Sequence, residues 1–250
     1  MHDNSRVTLP RFYVPDLDAK ARDASLPRDE ANHLTRVMRM GVGDEVAVFD
    51  GRGHEVKARV ITASRDKVTV ELLEPMTAAQ EARVPITLVQ ALLKGDKMDA
   101  VIRDAVMLGV AAIEPIVTAR AIARVARSEN DRWVRVSIAS AKQCRRAVIP
   151  AIAPATSFDN WLGSSAHGLR LILVEPSASS ADTDSLHLLE NHAAGSLALI
   201  VGPEGGWTPE EREKAEQAGC IAITLGGLTL RADAVAVAAL AIARFALRDL

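Results

Sequence analysis

From Ile86 onward, short apolar runs alternate with amphipathic segments, and this alternation strongly limits the folds open to the chain. The runs typical of strands are, in order, ITLVQ, AAIEPIV, LRLILVE, LALIV and CIAITL. Helical periodicity occurs at about 96–108, 131–147, 209–218 and 232–247. Strands that alternate with helices predict a mostly parallel sheet with helices on both faces. The C-terminal part is therefore predicted to be an α/β domain.

The first 74 residues show a different sequence pattern, in which β-like runs alternate with turns. The runs RFYV, EVAVFD, HEVKARVITA and KVTVELLE are β-like, and GVGD, GRGH and SRDK supply turns between or before them. This pattern predicts a small antiparallel barrel. GVGDEV and GRGHEV lack the third glycine and the following helix of a dinucleotide fingerprint, which favours turns. We expect residues 75–85 to be a linker and residues 86–250 to form the second domain.

The stretch VGPEGGWTPEE, residues 201–211, joins a predicted strand to a predicted helix. Thr208 is the expected N-cap, Pro209 the first helical residue and Glu211 the reciprocal acid of a capping box. In open α/β sheets, loops at this end of the strands bind small ligands. No Lys-Ser/Thr pair follows the glycines and Glu204 lies among them, so a neutral or cationic ligand fits better than a phosphate. A tight turn without a ligand is the alternative.

Composition narrows the class of protein. The chain has 250 residues, of which 48% are hydrophobic, enough for one large or two modest packed domains. Its start does not resemble a signal peptide, and its longest unbroken apolar run, residues 234–243, is too short to cross a bilayer. Cys144 and Cys220 form no disulfide framework, and the histidines are scattered. We therefore expect a soluble, cytoplasmic protein with no metal and no membrane partner.

The middle of the chain is its basic part. Residues 120–146 contain eight basic and two acidic side chains. A solvated helix face usually mixes signs, so this segment favours contact with a polyanion over a plain solvated helix. Trp133, Val134 and Ile138 leave room for one buried stripe among the arginines.

Several segments together resemble the RsmE-type family of the SPOUT superfamily. They are HLTRVMRMGVGDEVAVFDGRG, KGDKMDAVIRDAVMLGV, LIVGPEGGWTPEE and LGGLTLRADAVAVAALA, and the resemblance runs from about Arg11 to Ala246. Members of this family methylate N3 of a uridine in 16S ribosomal RNA. The resemblance implies an N-terminal PUA-like RNA-binding β-barrel and a C-terminal trefoil-knot α/β domain, with the knot at about 197–247. It also implies S-adenosylmethionine as cofactor and a homodimer.

The same resemblance implies roles for individual residues. Arg231 would stabilise negative charge on the uracil oxygens, with Asp233 or Glu204 as orienting partner or proton acceptor. The alternatives are a helix-capping ion pair for Arg231 and a favourable first-turn acid for Asp233. The implied cofactor-binding residues are Val174, Glu175, Gly202, Pro203, Gly205, Gly206, Leu225, Gly226 and Leu230.

The expected macromolecular partner is 16S ribosomal RNA or the small ribosomal subunit. The arginines predicted to contact this RNA lie in the first domain and in the basic segment: Arg36, Arg39, Arg120, Arg124, Arg127, Arg132, Arg145 and Arg146.

The chain departs from the family pattern at several positions. Leu228 stands where the family usually has arginine, and Asp233 and Ala234 replace its usual Glu and Thr. Acids usual in the family are also replaced, by Met107, Ala119 and Lys142. Two alternatives therefore stay open: a SPOUT methyltransferase with a shifted RNA target, and a noncatalytic RNA-binding dimer. The apolar run at 234–243 favours the dimer, with burial inside one domain as its alternative.

Overall fold

The structure of the chain is a computed structural model. The structure describes residues 9–64, 67–121, 127–165, 167–176, 189 and 195–249. The chain divides into two compact units. The first comprises residues 1–81 and 141–149, and the second comprises residues 82–140 and 150–250. Residues 141–149 thus group with the N-terminal unit, although they follow most of a long helix in sequence. The expected domain bounds 1–74 and 86–250 stay a prediction.

The first unit contains a five-stranded sheet. Its strands are β1 (Arg11–Tyr13), β2 (Asp23–Ser25), β3 (Glu45–Phe49), β4 (Glu55–Ala63) and β5 (Val68–Pro75), arranged in the order β1-β3-β4-β5-β2. The hairpins β3-β4 and β4-β5 are antiparallel, as expected from the turn sequences between them.

The expectation of a purely antiparallel arrangement is wrong for β1, which pairs with β3 in parallel. A parallel pair needs a long crossover connection, and the segment between these strands supplies one. That segment contains α1 (Arg28–Asn32) and a π-helical turn (His33–Val37). Sequence periodicity alone does not reveal the direction in which a short strand joins a sheet.

The described residues of the first unit pack around an apolar cluster. Phe12 from β1, Leu34 from the π-helical turn, and Val46, Val48 and Val70 from the sheet are fully buried in it. Because side chains alternate across a strand, the buried positions of β5 recur every second residue at its start. This buried face gives the sheet its register.

The second unit contains a larger sheet in which every described pair is parallel. Its strands are β6 (Ile86–Ala91), β7 (Ala112–Val117), β8 (Ala151–Ile152), β9 (Thr156–Ser157), β10 (Leu169–Leu173), β11 (Leu197–Val201) and β12 (Ile221–Ile223). The order is β12-β10-β11-β6-β7-β8, with β9 also paired to β7. All residues of β6 and β11 are buried, as expected for continuous apolar runs in a parallel sheet. The predicted parallel α/β sheet is confirmed.

Helices alternate with these strands along the chain; four of them lie close to the predicted positions, and the helix at residues 158–164 is not among those predicted. The helices are α2 (Lys97–Met107), α3 (Arg127–Cys144), α4 (Phe158–Ser164), α5 (Pro209–Gln217) and α6 (Ala232–Ala246). α3 ends three residues before the expected position because Arg145 adopts a left-handed conformation, with φ of 65°. The expected knot at about 197–247 stays a prediction.

The capping box at α5 is present in full. The Thr208 hydroxyl accepts a hydrogen bond from the Glu211 backbone N–H, and the Glu211 carboxylate accepts one from the Thr208 N–H. Beyond the helix, Gly219 takes the left-handed conformation with φ of 81°. This local geometry places the loop before α5 at the carboxyl edge of β11.

α6 is the most apolar of the described helices and has 15 residues. Within the described part of the chain, no helix is both long enough and apolar enough to cross a membrane.

Candidate functional site

A cavity of about 480 Å³ lies in the second unit, at the carboxyl ends of neighbouring strands. The loops that follow β10, β11 and β12 line it, together with the start of α6. These strands are adjacent and parallel, so their loops emerge at the same edge of the sheet. The volume is within the range of small-molecule sites.

The loop after β11 is shaped by an aromatic side chain. A Cβ on Gly202 would lie 3.0 Å from the indole of Trp207, too close for ordinary packing. The indole Nε1 of Trp207 donates a hydrogen bond to the Leu173 carbonyl over 2.9 Å, which ties the loop to the end of β10. The absence of a side chain at Gly202 therefore lets Trp207 fold back under the cavity.

Gly206 meets a second constraint in the same loop. Its φ is 67°, a conformation that residues with side chains rarely adopt, and an added Cβ would lie 3.0 Å from Oε1 of Glu175. Glu175 follows β10 and lines the cavity. Glycine at this position is needed both for the turn and for the placement of that carboxylate.

Arg120, which is not among the predicted cofactor-binding residues, contacts the loop after β11. Its guanidinium donates hydrogen bonds to the carbonyls of Gly205 and Trp207, over 3.0 and 3.3 Å. A Cβ on Gly205 would lie 3.1 Å from the Cβ of Arg120. The sequence predicts Arg120 to contact RNA, whereas the structure shows its hydrogen bonds going to the glycine loop.

Glu204 forms an ion pair at the cavity wall. The Lys97 ammonium lies 2.9 Å from its Oε1, and the Lys94 backbone N–H also points to that oxygen. Burial raises the pKa of Glu204, but the bonds from Lys97 and from backbone N–H groups outweigh this effect, and the pKa is lowered. Glu204 is therefore ionised and neutralised by Lys97, which makes it a weak proton acceptor.

Arg231 lies at the N-cap of α6 and lines the cavity. Its guanidinium makes two hydrogen bonds to the Asp233 carboxylate, over 3.1 and 2.8 Å. Its side chain is 72% exposed, whereas that of Asp233 is 23% exposed. The paired carboxylate holds the guanidinium in one orientation and leaves one of its faces open to solvent.

The loop after β12 forms an apolar wall. Leu225, Leu228 and Leu230 line the cavity, and Leu228 is 79% exposed. Large apolar side chains with this much exposure are typical of ligand-binding surfaces when they surround a cavity. Gly226 in the same loop has φ of 78° and supplies a turn.

Most of the predicted cofactor and catalytic residues are brought together by the fold. Those that line the cavity are Val174, Glu175, Gly202, Pro203, Glu204, Gly206, Leu225, Leu230 and Arg231. The remaining three, Gly205, Gly226 and Asp233, lie next to lining residues in sequence but are not part of the lining. Within the described residues, no group of three or more His, Cys, Asp or Glu side chains could hold a metal ion.

Sequence reasoning missed Lys97, Trp207 and Arg212, which also line the cavity. The sequence could have identified Trp207, because a tryptophan directly after a glycine loop needs a hydrogen-bond partner for its N–H. No sequence pattern distinguishes Lys97 or Arg212 from the other charged residues of their helices.

The predicted RNA-binding arginines differ in accessibility. Arg36 and Arg39 are exposed in the first unit, and Arg39 has a positive φ of 55°. Arg145 is also exposed. In the second unit, Arg132 forms an ion pair with Asp99 and is 51% exposed. Arg124 lies outside the described residues, and Arg127 begins α3 with its side chain outside them.

Arg146 does not suit the RNA-binding role expected for it. It is 6% exposed, and its guanidinium is paired with the Glu81 carboxylate, with its Nε 3.0 Å from Oε1. A side chain buried in this way has little surface to offer a phosphate. Arg146 is therefore removed from the RNA-binding set and stabilises the first unit.

Family models match both parts of the chain. A model described as RNA methyltransferase domain matches residues 80–244, and one described as RNA methyltransferase PUA domain matches residues 26–73. The first match covers more than half of the chain and includes the whole cavity.

Sequence relatives and solved structures agree with these matches. A ribosomal RNA small subunit methyltransferase E from Synechocystis is 30% identical over 238 residues, which are 95% of this chain and 78% of that protein. The crystal structure of a ribosomal RNA small subunit methyltransferase E from Neisseria gonorrhoeae, bound to S-adenosyl methionine, is 31% identical. It has a TM-score of 0.86 and covers 95% of this chain and 97% of that one.

The structure of a Legionella pneumophila protein in complex with the bound cofactor SAM has a TM-score of 0.88 at 27% identity. The alignment covers 96% of this chain and 98% of that one. The parallel sheet, the cavity at its carboxyl edge and these similarities lead to one conclusion. This chain belongs to the RNA methyltransferase domain family, and within it to the family of ribosomal RNA small subunit methyltransferases E.

Proposed function

We propose that this protein is an S-adenosylmethionine-dependent methyltransferase of small-subunit ribosomal RNA, acting on N3 of a uridine. The observation that carries the proposal is the cavity lined by the glycine loop and Arg231, in a chain of the RNA methyltransferase family. Relatives with 26–30% identity across more than nine-tenths of the chain are named for this RNA substrate.

The residues of the cavity fit the proposed cofactor. Its volume of about 480 Å³ suits an adenosyl group with an amino-acid tail, and Leu225 and Leu230 offer apolar surface to the adenosine. Gly202 lines the same space, and its missing Cβ makes room for the indole of Trp207, which also lines the cavity. When bound there, the cofactor supplies a methyl group activated by a positively charged sulfur.

Methyl transfer to uracil N3 requires few other groups from the protein. Uracil N3 carries a proton, and its loss places negative charge on O2 and O4. Arg231 would donate hydrogen bonds to those oxygens, and Asp233 would keep its guanidinium in place. Glu204 is already paired with Lys97, so the N3 proton is assigned to solvent water at the exposed side of the cavity and not to this carboxylate. The target base has to be unpaired or flipped, because N3 of a paired uracil is inaccessible.

Mapping of modified nucleotides tests this function. Ribosomal RNA from cells with and without the protein should differ by one 3-methyluridine in the small subunit, detected by mass spectrometry. Purified protein should restore the mark on undermethylated RNA or subunits, and the two substrates assayed separately show which is used. An unchanged uridine in the deletion strain would contradict the proposal.

A shifted RNA target is a second candidate, and the observation in its favour is Leu228. This leucine is 79% exposed at the cavity and occupies a position where the family usually has arginine. The same mapping would then show the loss of a different methylated nucleotide. A protein that binds S-adenosylmethionine without any lost mark would instead be noncatalytic.

The glycine loop yields a prediction for cofactor binding. Gly206→Val should weaken S-adenosylmethionine binding at least tenfold, about 1.4 kcal/mol. The substitution strains a left-handed residue and pushes against Glu175. Gly227→Val is the matched control, because nothing lies within 4 Å of an added Cβ there and its φ is not positive. Titration calorimetry on both variants gives the comparison, and equal affinities would place the cofactor elsewhere.

We also propose a homodimer, formed through the exposed apolar positions of α6. Phe245 is 72% exposed and Ile242 is 38% exposed, although both lie on the most apolar helix described. Leu240 is fully buried inside the second unit, so a charge there would unfold the domain without testing the interface. Phe245→Glu should convert the dimer to a monomer in sedimentation experiments at micromolar concentration. A wild-type monomer under these conditions would contradict the assembly.

The proposed partner is ribosomal RNA or the small subunit, so the protein is placed in the cytoplasm, where the ribosome is assembled. Among the predicted RNA contacts, the exposed Arg36, Arg39 and Arg145 and the half-exposed Arg132 are retained in the proposal. Arg124 and Arg127 stay predictions from the basic segment.

A further inference from the structure

The cavity contains two kinds of charged side chain. In the first kind the charge is already satisfied by the protein. Lys97 is paired with Glu204, and Arg231 is paired with Asp233. Arg120 makes its hydrogen bonds to backbone carbonyls of the glycine loop. These groups have fixed partners before any ligand enters.

Glu175 and Arg212 form the second kind. Both line the cavity, and neither has a hydrogen bond or ion pair from its side chain to any described residue. They carry opposite charges, yet they do not form an ion pair with each other. The cavity therefore presents one carboxylate and one guanidinium that are separate and unpaired within the described part of the chain.

Local structure explains why the two groups stay apart. Glu175 belongs to the loop after β10 and is held next to Gly206, whose missing Cβ leaves room for the carboxylate. Arg212 is the fourth residue of α5, and the capping box fixes the start of that helix. Arg212 is half-buried, and a cation removed from water without an anion is unfavourable unless a ligand supplies one.

A ligand with an ammonium and a carboxylate would satisfy both groups at once. S-adenosylmethionine has this chemistry, because its methionine tail is an α-amino acid. We propose that Arg212 binds the α-carboxylate of the tail and that Glu175 accepts hydrogen bonds from its α-ammonium group. This inference rests on the proposed function and specifies which residues hold the cofactor's tail.

The arrangement gives the site a criterion for selecting ligands. A guanidinium can donate two parallel hydrogen bonds to a carboxylate, an interaction that adenosine compounds without the tail cannot make. The apolar wall would hold the adenosine of any such compound. Selection for the complete cofactor would therefore come from Glu175 and Arg212.

Calorimetry with three ligands tests the assignment. S-adenosylmethionine and S-adenosylhomocysteine carry the amino-acid tail. 5′-Methylthioadenosine has the same nucleoside and the neutral thioether of S-adenosylhomocysteine, but it lacks the tail. Arg212→Gln should weaken binding of the first two ligands about tenfold or more and leave 5′-methylthioadenosine within twofold of wild type. Glu175→Gln should show the same selectivity, and Arg212→Lys should lose less affinity than Arg212→Gln because it keeps the charge.

Lys214→Gln is the matched control. Lys214 lies two residues further along α5, is paired with Asp159 and does not line the cavity. Its replacement removes the same charge from the same helix, and all three affinities should stay at the wild-type values. If the loss of affinity were a general electrostatic effect, Lys214→Gln and Arg212→Gln would weaken ligand binding to the same extent. That result would overturn the assignment.

Other outcomes also decide the question. Equal loss of all three ligands in Arg212→Gln would show a merely structural role. Unchanged affinity for S-adenosylmethionine, with a raised KM for RNA, would assign Arg212 to an RNA phosphate instead. Both results overturn the tail assignment while leaving the proposed function intact. A wild-type protein that binds none of the three ligands would contradict the proposed function itself.

Discussion

Turnover is expected to fall about a hundredfold when Arg231 is replaced by alanine, because one preorganised donor to the developing negative charge is lost. The Arg231 side chain is 72% exposed, and the hydrogen bonds described for its guanidinium go only to Asp233, so the fold should tolerate the change. Affinity for S-adenosylmethionine should stay close to that of the wild type. The measurement is single-turnover methyl transfer to undermethylated RNA, with calorimetry for the cofactor.

Two further variants sharpen this prediction. Arg231→Lys keeps the charge but cannot make the paired contact with Asp233, and we expect an intermediate loss. Asp233→Asn removes the negative charge of residue 233 but leaves an amide oxygen that can accept a hydrogen bond from Arg231. Turnover should therefore fall less in Asp233→Asn than in Arg231→Ala. Near-normal turnover in Arg231→Ala would show that the residue only caps α6.

The second large effect concerns stability and involves Arg244. This arginine is 1% exposed, and its guanidinium donates to the carbonyls of Val84 and Gly109, over 2.7 and 2.6 Å. It also pairs with the Asp249 carboxylate over 3.0 Å. Arg244→Met should lower the free energy of unfolding by about 3–5 kcal/mol, because the buried acceptors lose their donor. Urea unfolding of the full chain measures the change.

Arg83→Met is the control for Arg244. Its side chain is 70% exposed although it lies near the same carboxylate, with Nε 3.5 Å from Asp249. An exposed pair of this kind contributes about 1 kcal/mol or less. A loss for Arg244→Met no larger than that for Arg83→Met would contradict the proposed role of the buried guanidinium.

The same cluster has a pH dependence with a defined sign. Burial raises the pKa of Asp249, but the backbone N–H groups of Val84 and Arg83 and the charge of Arg244 outweigh it, and the pKa is lowered. A carboxylate with a lowered folded-state pKa stabilises the fold above its unfolded pKa, and this stability is lost as the pH falls through the folded value. Arg244→Met should therefore reduce the acid sensitivity of unfolding.

Features that depend on neighbouring residues were predictable. The capping box at Thr208, the proline after it and the left-handed Gly219 all follow from short-range hydrogen bonding, and the structure contains each. The strands β6 and β11 were also recognisable, because a strand buried on both faces needs a continuous apolar run.

Features that depend on distant residues were not predictable from these patterns. Glu204 looked like a free carboxylate for a cationic ligand, but Lys97, 107 positions away, neutralises it. Arg146 looked like a phosphate-binding residue, but it is paired with Glu81 and buried. The parallel direction of β1 likewise depends on the path of the segment that connects it to β3.

The sequence by itself determined the alternation that makes the second unit a parallel α/β sheet, the capped start of α5 and the glycine loop before it. These properties arise from the periodicity of side chains and from hydrogen bonds between residues a few positions apart. The tertiary structure decided which charges in the cavity are neutralised and which stay unpaired. Lys97 reaches Glu204 and no described carboxylate reaches Arg212, because ion pairing depends on distances in space that the fold alone establishes.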